Sequence, residues 1–293
     1  MILGKTFFDR AYAKINLYLD VTSRREDGYH NICSVMQTIS LSDEISLTLS
    51  EEKEDSISCN IADIPTDERN LAIKALNAFR NETGLNFGAK IHIEKNIPIA
   101  GGLAGGSSDA AAVIRILSEA SEIELPDDKL IKIANKVGAD VPFCLFGGTM
   151  MVTGVGEILK PLPKCPKMYF VVANSGEGVS TPWAYSMLDN KYENFTIYRG
   201  NSSQRLQFLL TALQNSDIKG VQNNIYNIFE EVIENERPLV NKIKQIMCSS
   251  GAEACLMSGS GPSVFGFFDD EKTASEAKDI LLKKGIRAFC ATT

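Results

Sequence analysis

A run of glycines directly before a helix-forming segment is the feature of this sequence that most directly indicates chemistry. Residues 96–117 read NIPIAGGLAGGSSDAAAVIRIL, with four glycines and two adjacent serines before the helical pattern begins. Glycines let a ligand approach the main chain closely. A helix start offers free N–H groups and the positive end of the helix dipole. Together they predict a site for an anion, most commonly a phosphate.

The spacing of these glycines differs from the two best-known phosphate motifs. Gly101–Ser108 reads G-x-x-x-x-G-S-S, so Ser107 stands where a P-loop has its lysine. Leu103 interrupts the dinucleotide-binding pattern here, and Val264 does so in the later segment SGSGPSVFG. The two serines offer hydroxyls to cap the helix, bind a phosphate oxygen or reach a metal. A flexible surface loop before a capped helix is the alternative.

The composition predicts a globular protein and argues against several classes of function. The chain has 293 residues, 44% of them hydrophobic, and a net charge of −7, which disfavours nucleic-acid binding. We find no apolar run near the roughly 18 residues of a membrane span, nor a secretory core in MILGKTFFDR. Seven cysteines without a C-x-x-C pair and two histidines predict reduced thiols without a zinc site. We therefore expect a cytoplasmic protein.

The first periodic segment, AYAKINLYLDV, alternates apolar and polar residues and predicts a half-buried strand. Its polar face places Lys14 and Asn16 side by side. Helical spacing over 68–84 ends at Gly84, a predicted cap. Three prolines within 160–167 predict a domain boundary, which gives domains 1–160 and 161–293. Mixed helices and strands in both parts predict an α+β protein with two lobes.

The remaining pattern predicts further elements along the chain. Strands are predicted over 33–41, 43–50, 89–96, 147–159, 168–174, 254–258, 263–268 and 286–291, helices over 107–121, 126–137, 203–214, 224–235, 238–249 and 271–284, and a polar loop over 189–199.

Several motifs resemble the GHMP kinases, a superfamily of small-molecule kinases. The glycine segment from Pro98 to Ser108 resembles their phosphate loop. AKINLYL, REDGYH, GADVPF, TGVGEILKPLP and MSGSGPSVFG narrow the resemblance to the 4-diphosphocytidyl-2-C-methyl-D-erythritol kinases, over residues 11–267. One departure is Ala104, where many relatives have glycine; we expect less extreme backbone angles there.

The resemblance implies a ribosomal-S5-like amino-terminal lobe and a ferredoxin-like carboxy-terminal lobe. It implies ATP-dependent phosphorylation, with Mg²⁺, of the 2-hydroxyl of 4-diphosphocytidyl-2-C-methyl-D-erythritol in the non-mevalonate route to isoprenoids. The expected partners are ATP and a cytidine-diphosphate-linked small molecule, with no nucleic acid and no membrane, in a monomer or homodimer. The alternatives are another GHMP alcohol kinase, the related decarboxylase, or a catalytically silent nucleotide-binding relative.

The resemblance also implies roles for individual residues, and it leaves the direct metal ligands unassigned. Asp140 is the implied general base, assisted by Lys14. The implied phosphate-binding residues are Pro98, Ile99, Ala100, Gly101, Gly102, Leu103, Ala104, Gly105, Gly106, Ser107 and Ser108. The implied substrate-binding residues are Asn16, Tyr29, His30, Val155, Thr181 and Tyr185.

Each of these residues also has an ordinary structural explanation. Asp140 follows Gly138 closely and is typical of a turn or helix cap. Lys14 is typical of a solvated lysine on a half-exposed strand, and Asn16 of a bond to the neighbouring strand. Tyr29 and Tyr185 have packing alternatives. His92 alternates with buried isoleucines and is predicted to face solvent.

Overall fold

The computed structural model describes residues 1–192 and 199–293 and contains two compact units. Unit 1 comprises Met1–Ala13, Ser42–Ile97 and Ala104–Gly147, and unit 2 comprises Lys14–Leu41, Pro98–Leu103 and Gly148–Thr293. The boundary predicted after residue 160 falls inside unit 2 and stays a prediction. Of the polar loop predicted over 189–199, residues 193–198 lie outside the described residues, and residues 189–191 end a helix.

The strands are β1 (Thr6–Arg24), β2 (His30–Ser50), β3 (Ser56–Cys59), β4 (Gly88–Glu94), β5 (Thr149–Gly154), β6 (Ile158–Pro161), β7 (Tyr169–Asn174), β8 (Tyr226–Asn227), β9 (Ala254–Met257), β10 (Val264–Phe268) and β11 (Arg287–Thr292). The helices are α1 (Leu71–Thr83), α2 (Gly105–Ser121), α3 (Asp127–Val137), α4 (Val141–Phe146), α5 (Thr181–Lys191), α6 (Arg199–Gln214), α7 (Ile218–Asn223), α8 (Glu230–Glu236), α9 (Pro238–Ser249) and α10 (Glu271–Lys283).

The strands form two sheets. The first has the order β3-β4-β2-β1-β8, with β5 paired to β2 and β6 to β5. Within unit 1, β2 pairs antiparallel with β4, and β3 runs parallel to β4. Within unit 2, β2 pairs antiparallel with β5, and β8 lies parallel to β1. The second sheet, β11-β7-β10-β9, is antiparallel throughout. This mixture of helices and sheets confirms the predicted α+β class.

Helix α2 forms the centre of the unit 1 core. Its consecutive residues from Ala110 to Ile114 are all 0% exposed, so the helix is buried on every side along this stretch. The small alanines let α1 pack closely against it. Helix α1 starts at Asn70, whose side chain accepts the Ala72 N–H, and ends at Gly84 with a φ of 72°. The predicted cap at Gly84 is therefore confirmed.

Strand β1 is buried on both faces, so the predicted half-buried strand is wrong in this respect. Lys14, Asn16 and Asp20 are 4%, 1% and 6% exposed, although they alternate with the apolar face. Polar groups enter a core when they can bond to one another, and Tyr18 and Asp20 do so at 3.3 Å. Tyr226 also packs its ring against Tyr18, at 5.5 Å between centroids.

Several element boundaries differ from the prediction. The strands predicted over 33–41 and 43–50 form one continuous strand, β2. The helix predicted over 224–235 is wrong in its first part, because Tyr226 and Asn227 pair with β1 and helix α8 begins only at Glu230. Helix α2 begins at Gly105, two residues before the predicted start. Asp109 consequently lies beyond the first turn of the helix.

The segment 98–103 packs main chain against main chain with the turn 258–263 that joins β9 to β10, both in unit 2. The Ser263 N–H donates to the Gly101 carbonyl at 3.2 Å, and the Ser258 hydroxyl donates to the Gly102 carbonyl at 3.0 Å. A Cβ on Gly102 would lie 2.1 Å from the Ser258 carbonyl oxygen. The glycines at 101 and 102 are therefore required by packing within the protein.

We expect Gly102→Ala to be strongly destabilising. The new methyl group would collide with rigid backbone, and the φ of 76° lies in the left-handed region. Overpacking of about 1–3 kcal/mol and left-handed backbone strain of about 1–2 kcal/mol together predict a loss of roughly 2–5 kcal/mol in the free energy of unfolding. Urea denaturation followed by circular dichroism measures this loss.

Gly106→Ala is the matched control in the same glycine segment. A Cβ on Gly106 would meet only Leu71 Cδ1, at an ordinary 3.6 Å. Alanine favours a helix over glycine by up to about 1 kcal/mol, so this variant is expected to be at least as stable as the parent. Equal urea midpoints for Gly102→Ala and the parent would contradict the packing requirement.

Candidate active site

The glycine segment between β4 and α2 contains alanines in the left-handed conformation. The φ angles of Ala100 and Ala104 are 51° and 58°, and that of Gly102 is 76°. The expectation of less extreme angles at Ala104 is therefore wrong. Ala104 is the N-cap of α2, and the chain must turn there to enter the helix. Non-glycine residues in this region carry strain that neighbouring contacts must offset, as is common at functional sites.

The start of helix α2 presents main-chain N–H groups. The Ser108 N–H bonds to the Ala104 carbonyl at 2.8 Å, and helix geometry leaves the N–H groups of residues 105–107 without an intrahelical acceptor. Gly106 is exposed and Ser107 half-buried. These groups fit a phosphate. The Ser108 hydroxyl instead donates to the Tyr12 carbonyl at 2.6 Å and is 1% exposed, so it anchors the helix in unit 1.

Lys14 and Asn16 lie together in a buried polar network in unit 2. Lys14 Nζ donates to Asn16 Oδ1 at 2.8 Å, and Asn16 Nδ2 donates to Ser34 Oγ at 2.8 Å. Ser34 Oγ in turn donates to the Tyr18 carbonyl. The predicted neighbourhood of Lys14 and Asn16 is thus observed, and Asn16 makes the contact with the adjacent strand that was its structural alternative. The Lys14 N–H also donates to the Leu103 carbonyl, at 3.1 Å.

Asp140 lies at the N-cap of helix α4 in unit 1. Its carbonyl accepts the Cys144 N–H at 3.0 Å, but its side chain makes no capping hydrogen bond to the helix. The residue is half-buried, between Ala139 and the buried Val141. The carboxylate therefore does not perform the capping function that was the structural alternative, and its role as a base stays a prediction.

His30 is held between two residues of helix α5, all within unit 2. Its ring stacks on Tyr185 with 4.6 Å between centroids, and its Nε2 lies 2.8 Å from Asp189 Oδ1. His30 is 8% exposed. Tyr185 also contacts Phe229 edge to face at 4.9 Å. The structure therefore brings two of the predicted substrate-binding residues, His30 and Tyr185, into direct contact.

The sequence prediction did not include Asp189 in the site. A helix predicted through residue 189 would have placed it beside Tyr185. Asp189 follows Tyr185 by four residues, so both occupy one face of a helix. The predicted polar loop began at residue 189, whereas the helix continues to Lys191.

The other predicted substrate-binding residues lie near surface turns of unit 2. Tyr29 is 67% exposed, and its N–H donates to Asp27 Oδ1 at 3.1 Å. Val155 lies in the turn between β5 and β6, where its N–H donates to Glu157. The hydroxyl of Thr181, the first residue of α5, lies 3.0 Å from that of Ser260. A role in substrate binding stays a prediction for all three.

The turn 258–263 is held by two asparagines that the sequence analysis did not single out. Asn227 Nδ2 donates to the carbonyls of Met257 and Gly259, at 2.7 and 2.8 Å. Asn174 Nδ2 donates to Ser263 Oγ at 2.8 Å. The turn is thus a firmly held connection, and it packs against the glycine segment through the contacts described above.

A buried cluster of charges lies at the base of the glycine segment in unit 1. Lys95 Nζ bonds to Asp43 and, at 2.8 Å, to Asp109 Oδ2. Burial raises the pKa of Asp109 to about 7, while the Lys95 charge opposes this rise. Burial lowers the pKa of the Lys95 ammonium, but the two carboxylates outweigh burial and raise it. None of these three residues was predicted to act in the site.

Residues 1–192 and 199–293 contain neither a metal-binding cluster of His, Cys, Asp and Glu side chains nor a membrane-spanning helix. No group of three or more His, Cys, Asp and Glu side chains in that range could hold a metal ion. Among the helices of the same range, none is both long and apolar enough to cross a membrane.

Comparison with known proteins identifies both halves of the chain. The model of the GHMP kinases N terminal domain matches residues 70–148, and that of the GHMP kinases C terminal domain matches residues 209–287. The 4-diphosphocytidyl-2-C-methyl-D-erythritol kinase of Caldicellulosiruptor bescii is 40% identical, covering 97% of this chain and 96% of that one. The same kinase of Clostridium perfringens is 43% identical, covering 94% and 93%.

Solved structures agree with this assignment. A crystal structure of 4-(cytidine 5'-diphospho)-2C-methyl-D-erythritol kinase superposes with a TM-score of 0.78 at 30% identity, covering 98% of both chains. Homoserine kinase from Cytophaga hutchinsonii has a TM-score of 0.78 at 18% identity, covering 100% of this chain and 96% of that one, which shows the shared fold. The predicted GHMP kinase fold is confirmed. The chain belongs to the 4-diphosphocytidyl-2-C-methyl-D-erythritol kinase family of the GHMP kinases.

Proposed function

We propose that this chain transfers the γ-phosphoryl group of ATP to the 2-hydroxyl of 4-diphosphocytidyl-2-C-methyl-D-erythritol, a step in isoprenoid precursor synthesis. The observation that carries the proposal is 40–43% identity, over more than nine-tenths of the chain, to relatives that bear this kinase name. The start of helix α2 and the Tyr29–His30 pair supply, respectively, groups suited to a phosphate and to a cytosine.

The ATP phosphates are proposed to bind along residues 98–108. The N–H groups of residues 105–107 point out of the helix start, and the dipole of a 17-residue helix favours negative charge there. A Cβ on Gly106 would make only an ordinary contact, 3.6 Å from Leu71 Cδ1. Mg²⁺ commonly binds through substrate phosphates and only one or two carboxylates. Mg²⁺ is proposed to bind here together with the ATP phosphates.

Asp140 is proposed as the general base and Lys14 as its electrostatic assistant. The hydroxyl proton of the substrate passes to the Asp140 carboxylate, the freed oxygen bonds to the γ-phosphorus, and the bond from that phosphorus to ADP breaks. A buried ammonium at Lys14 favours ionisation of the hydroxyl, because the charge is screened little away from water.

The cytosine ring is proposed to bind beside Tyr29, His30 and Tyr185. Tyr29 is exposed and free of packing constraints on most of its surface, as a stacking platform requires. The His30 ring is fixed by Tyr185 and Asp189, so its position is set before a ligand arrives. Asn16, Val155 and Thr181 are proposed to line the rest of the substrate site.

The compartment and assembly of the protein belong to the same proposal. We propose a reducing compartment such as the cytoplasm, in accordance with seven cysteines that include no C-x-x-C pair. We propose a monomer or homodimer that acts on small molecules, not on nucleic acid, in accordance with the net charge of −7.

We expect Asp140→Asn to lower kcat by about 10²- to 10⁴-fold, the range for loss of general acid–base catalysis. The amide keeps the size of the side chain but cannot accept the proton. The ATP dissociation constant, measured by titration calorimetry with a non-hydrolysable analogue, is expected to change little.

The control is Asp128→Asn, which neutralises an exposed aspartate in the first turn of helix α3. This variant is expected to keep the kcat of the parent. An Asp140→Asn enzyme with the parent kcat would remove Asp140 from the role of base.

We expect Tyr29→Ala to raise KM for the cytidine substrate and to leave KM for ATP unchanged. Loss of base stacking of about 1–3 kcal/mol corresponds to a rise of about 5- to 150-fold. Tyr29→Phe retains the ring and is expected to behave like the parent in steady-state kinetics. An unchanged KM in Tyr29→Ala would place the cytosine elsewhere.

Inhibition assays separate this function from its alternatives within the superfamily. Cytidine nucleotides are expected to compete with the substrate, whereas mevalonate and homoserine are not, because they have no ring to stack on Tyr29. Competition by mevalonate or homoserine would favour another alcohol kinase. ATP binding without any turnover of the cytidine substrate would favour a silent relative.

A further inference from the structure

We propose that Lys95, Asp43 and Asp109 form a positioning device for the phosphate loop, tying the strand that enters the loop to the helix that leaves it. This inference rests on the proposed function, because it assumes that residues 98–108 bind the ATP phosphates. Lys95 follows strand β4 directly, and Asp109 lies in the second turn of helix α2. All three residues belong to unit 1.

The entry to the loop is held through Asp43. Its Oδ2 accepts from Lys95 Nζ, while its Oδ1 accepts the N–H groups of Asn96 and Ile97, at 2.6 and 2.7 Å. One carboxylate therefore fixes both a side chain and the two main-chain groups just before Pro98. The side chain of Asp43 is 0% exposed, so water does not compete for these bonds.

The exit from the loop is held by the same ammonium group. Lys95 Nζ donates to Asp109 Oδ2 at 2.8 Å, and the two side chains are 3% and 6% exposed. The ammonium also lies 3.1 Å from the position of a Cβ on Gly105, the first residue of α2. A side chain at position 105 would press on Lys95 and Ile97, which explains a glycine there. The ammonium thus lies against the helix start as well as the loop entry.

The lysine is not placed to bind phosphate itself. A lysine beside a phosphate loop commonly reaches the phosphates, but Lys95 is enclosed by protein and occupied by two carboxylates. Its ammonium group pairs with Asp43 and Asp109 instead.

Stability alone does not explain the cluster. Buried ion pairs are often replaceable by apolar residues without loss of stability, and Asp109 Oδ1 is buried with no hydrogen bond among the described residues. Such unsatisfied atoms are rare. The arrangement is better explained by the distance that it fixes between the end of strand β4, at Lys95, and helix α2, at Asp109.

The test is the double variant Lys95→Met/Asp109→Leu in the full-length chain, assayed with Mg²⁺-ATP. It removes the tie but leaves apolar side chains of similar size, and Asp43 keeps its two main-chain bonds. We expect a KM for ATP raised about 10- to 100-fold, since a misplacement near 1 Å has effects of this size. The urea midpoint is expected to fall, because Asp43 stays buried without its cation. KM for the cytidine substrate is expected to stay unchanged.

Asp109→Asn and Asp109→Leu form the matched single pair, in case the double variant does not fold. Asparagine keeps an oxygen that accepts from Lys95, so its KM for ATP is expected to match the parent, whereas leucine raises it. A parent-like KM for ATP in a folded double variant, or equal values for the single pair, would overturn the inference.

Titration calorimetry with a non-hydrolysable ATP analogue separates this inference from the proposed function. If the parent binds the analogue and turns over the cytidine substrate while every variant binds equally well, only the positioning role fails. If the parent itself does not bind ATP, the proposed function fails and the inference falls with it.

Discussion

A glycine-rich loop has few side chains with which to hold its own shape. In this chain neighbouring groups hold it instead. Residues 101 and 102 pack against the turn 258–263 so closely that a Cβ on Gly102 would lie 2.1 Å from a carbonyl oxygen. The left-handed Ala100 and Ala104 are kept within this frame. A loop constrained in this way is already ordered, so little conformational entropy would be lost when its N–H groups bind a ligand.

The glycines of this loop are therefore not equivalent. A Cβ on Gly102 would collide with the main chain of Ser258, whereas one on Gly101 would collide with the side chains of Ser263 and Asn174. A Cβ on Gly105 would make a tight contact, 3.1 Å from Lys95 Nζ. Gly106 alone of the four has only an ordinary contact near its missing side chain. The motif thus combines positions where a side chain would collide with the protein and one, Gly106, where alanine fits.

Several buried polar side chains are also held in place by neighbouring groups. Lys14 lies within a network that passes through Asn16 and Ser34 to the main chain of Tyr18, so its charge is held at a defined point in a dry interior. His30 is fixed from one helix by a stacked ring and a carboxylate. Groups fixed in this manner need little reorganisation when a substrate binds, which is what electrostatic catalysis and selective binding require.

Local pattern in the sequence was enough to place many of the elements. Helix α1 and its cap at Gly84, strand β4 with His92 outward, and strands β7, β9 and β10 follow from periodicity and turn residues that act over a few positions. The motifs were also enough to assign the family, because their order along the chain is itself specific. The residues of the site were named at the same stage, and their roles remain proposals.

Tertiary contacts decided what no local pattern contains. The polar face of β1 reads as exposed, yet it is buried because distant segments such as Tyr226 cover it. Tyr226 and Asn227 read as helix, yet they pair with β1. Asp43, Lys95 and Asp109 are spread over 67 positions of the sequence, and they read as ordinary surface charges until the fold buries them together. The sequence by itself determined element type, family and candidate chemistry; burial and long-range pairing, which depend on residues far apart in the chain, were decided only by the tertiary structure.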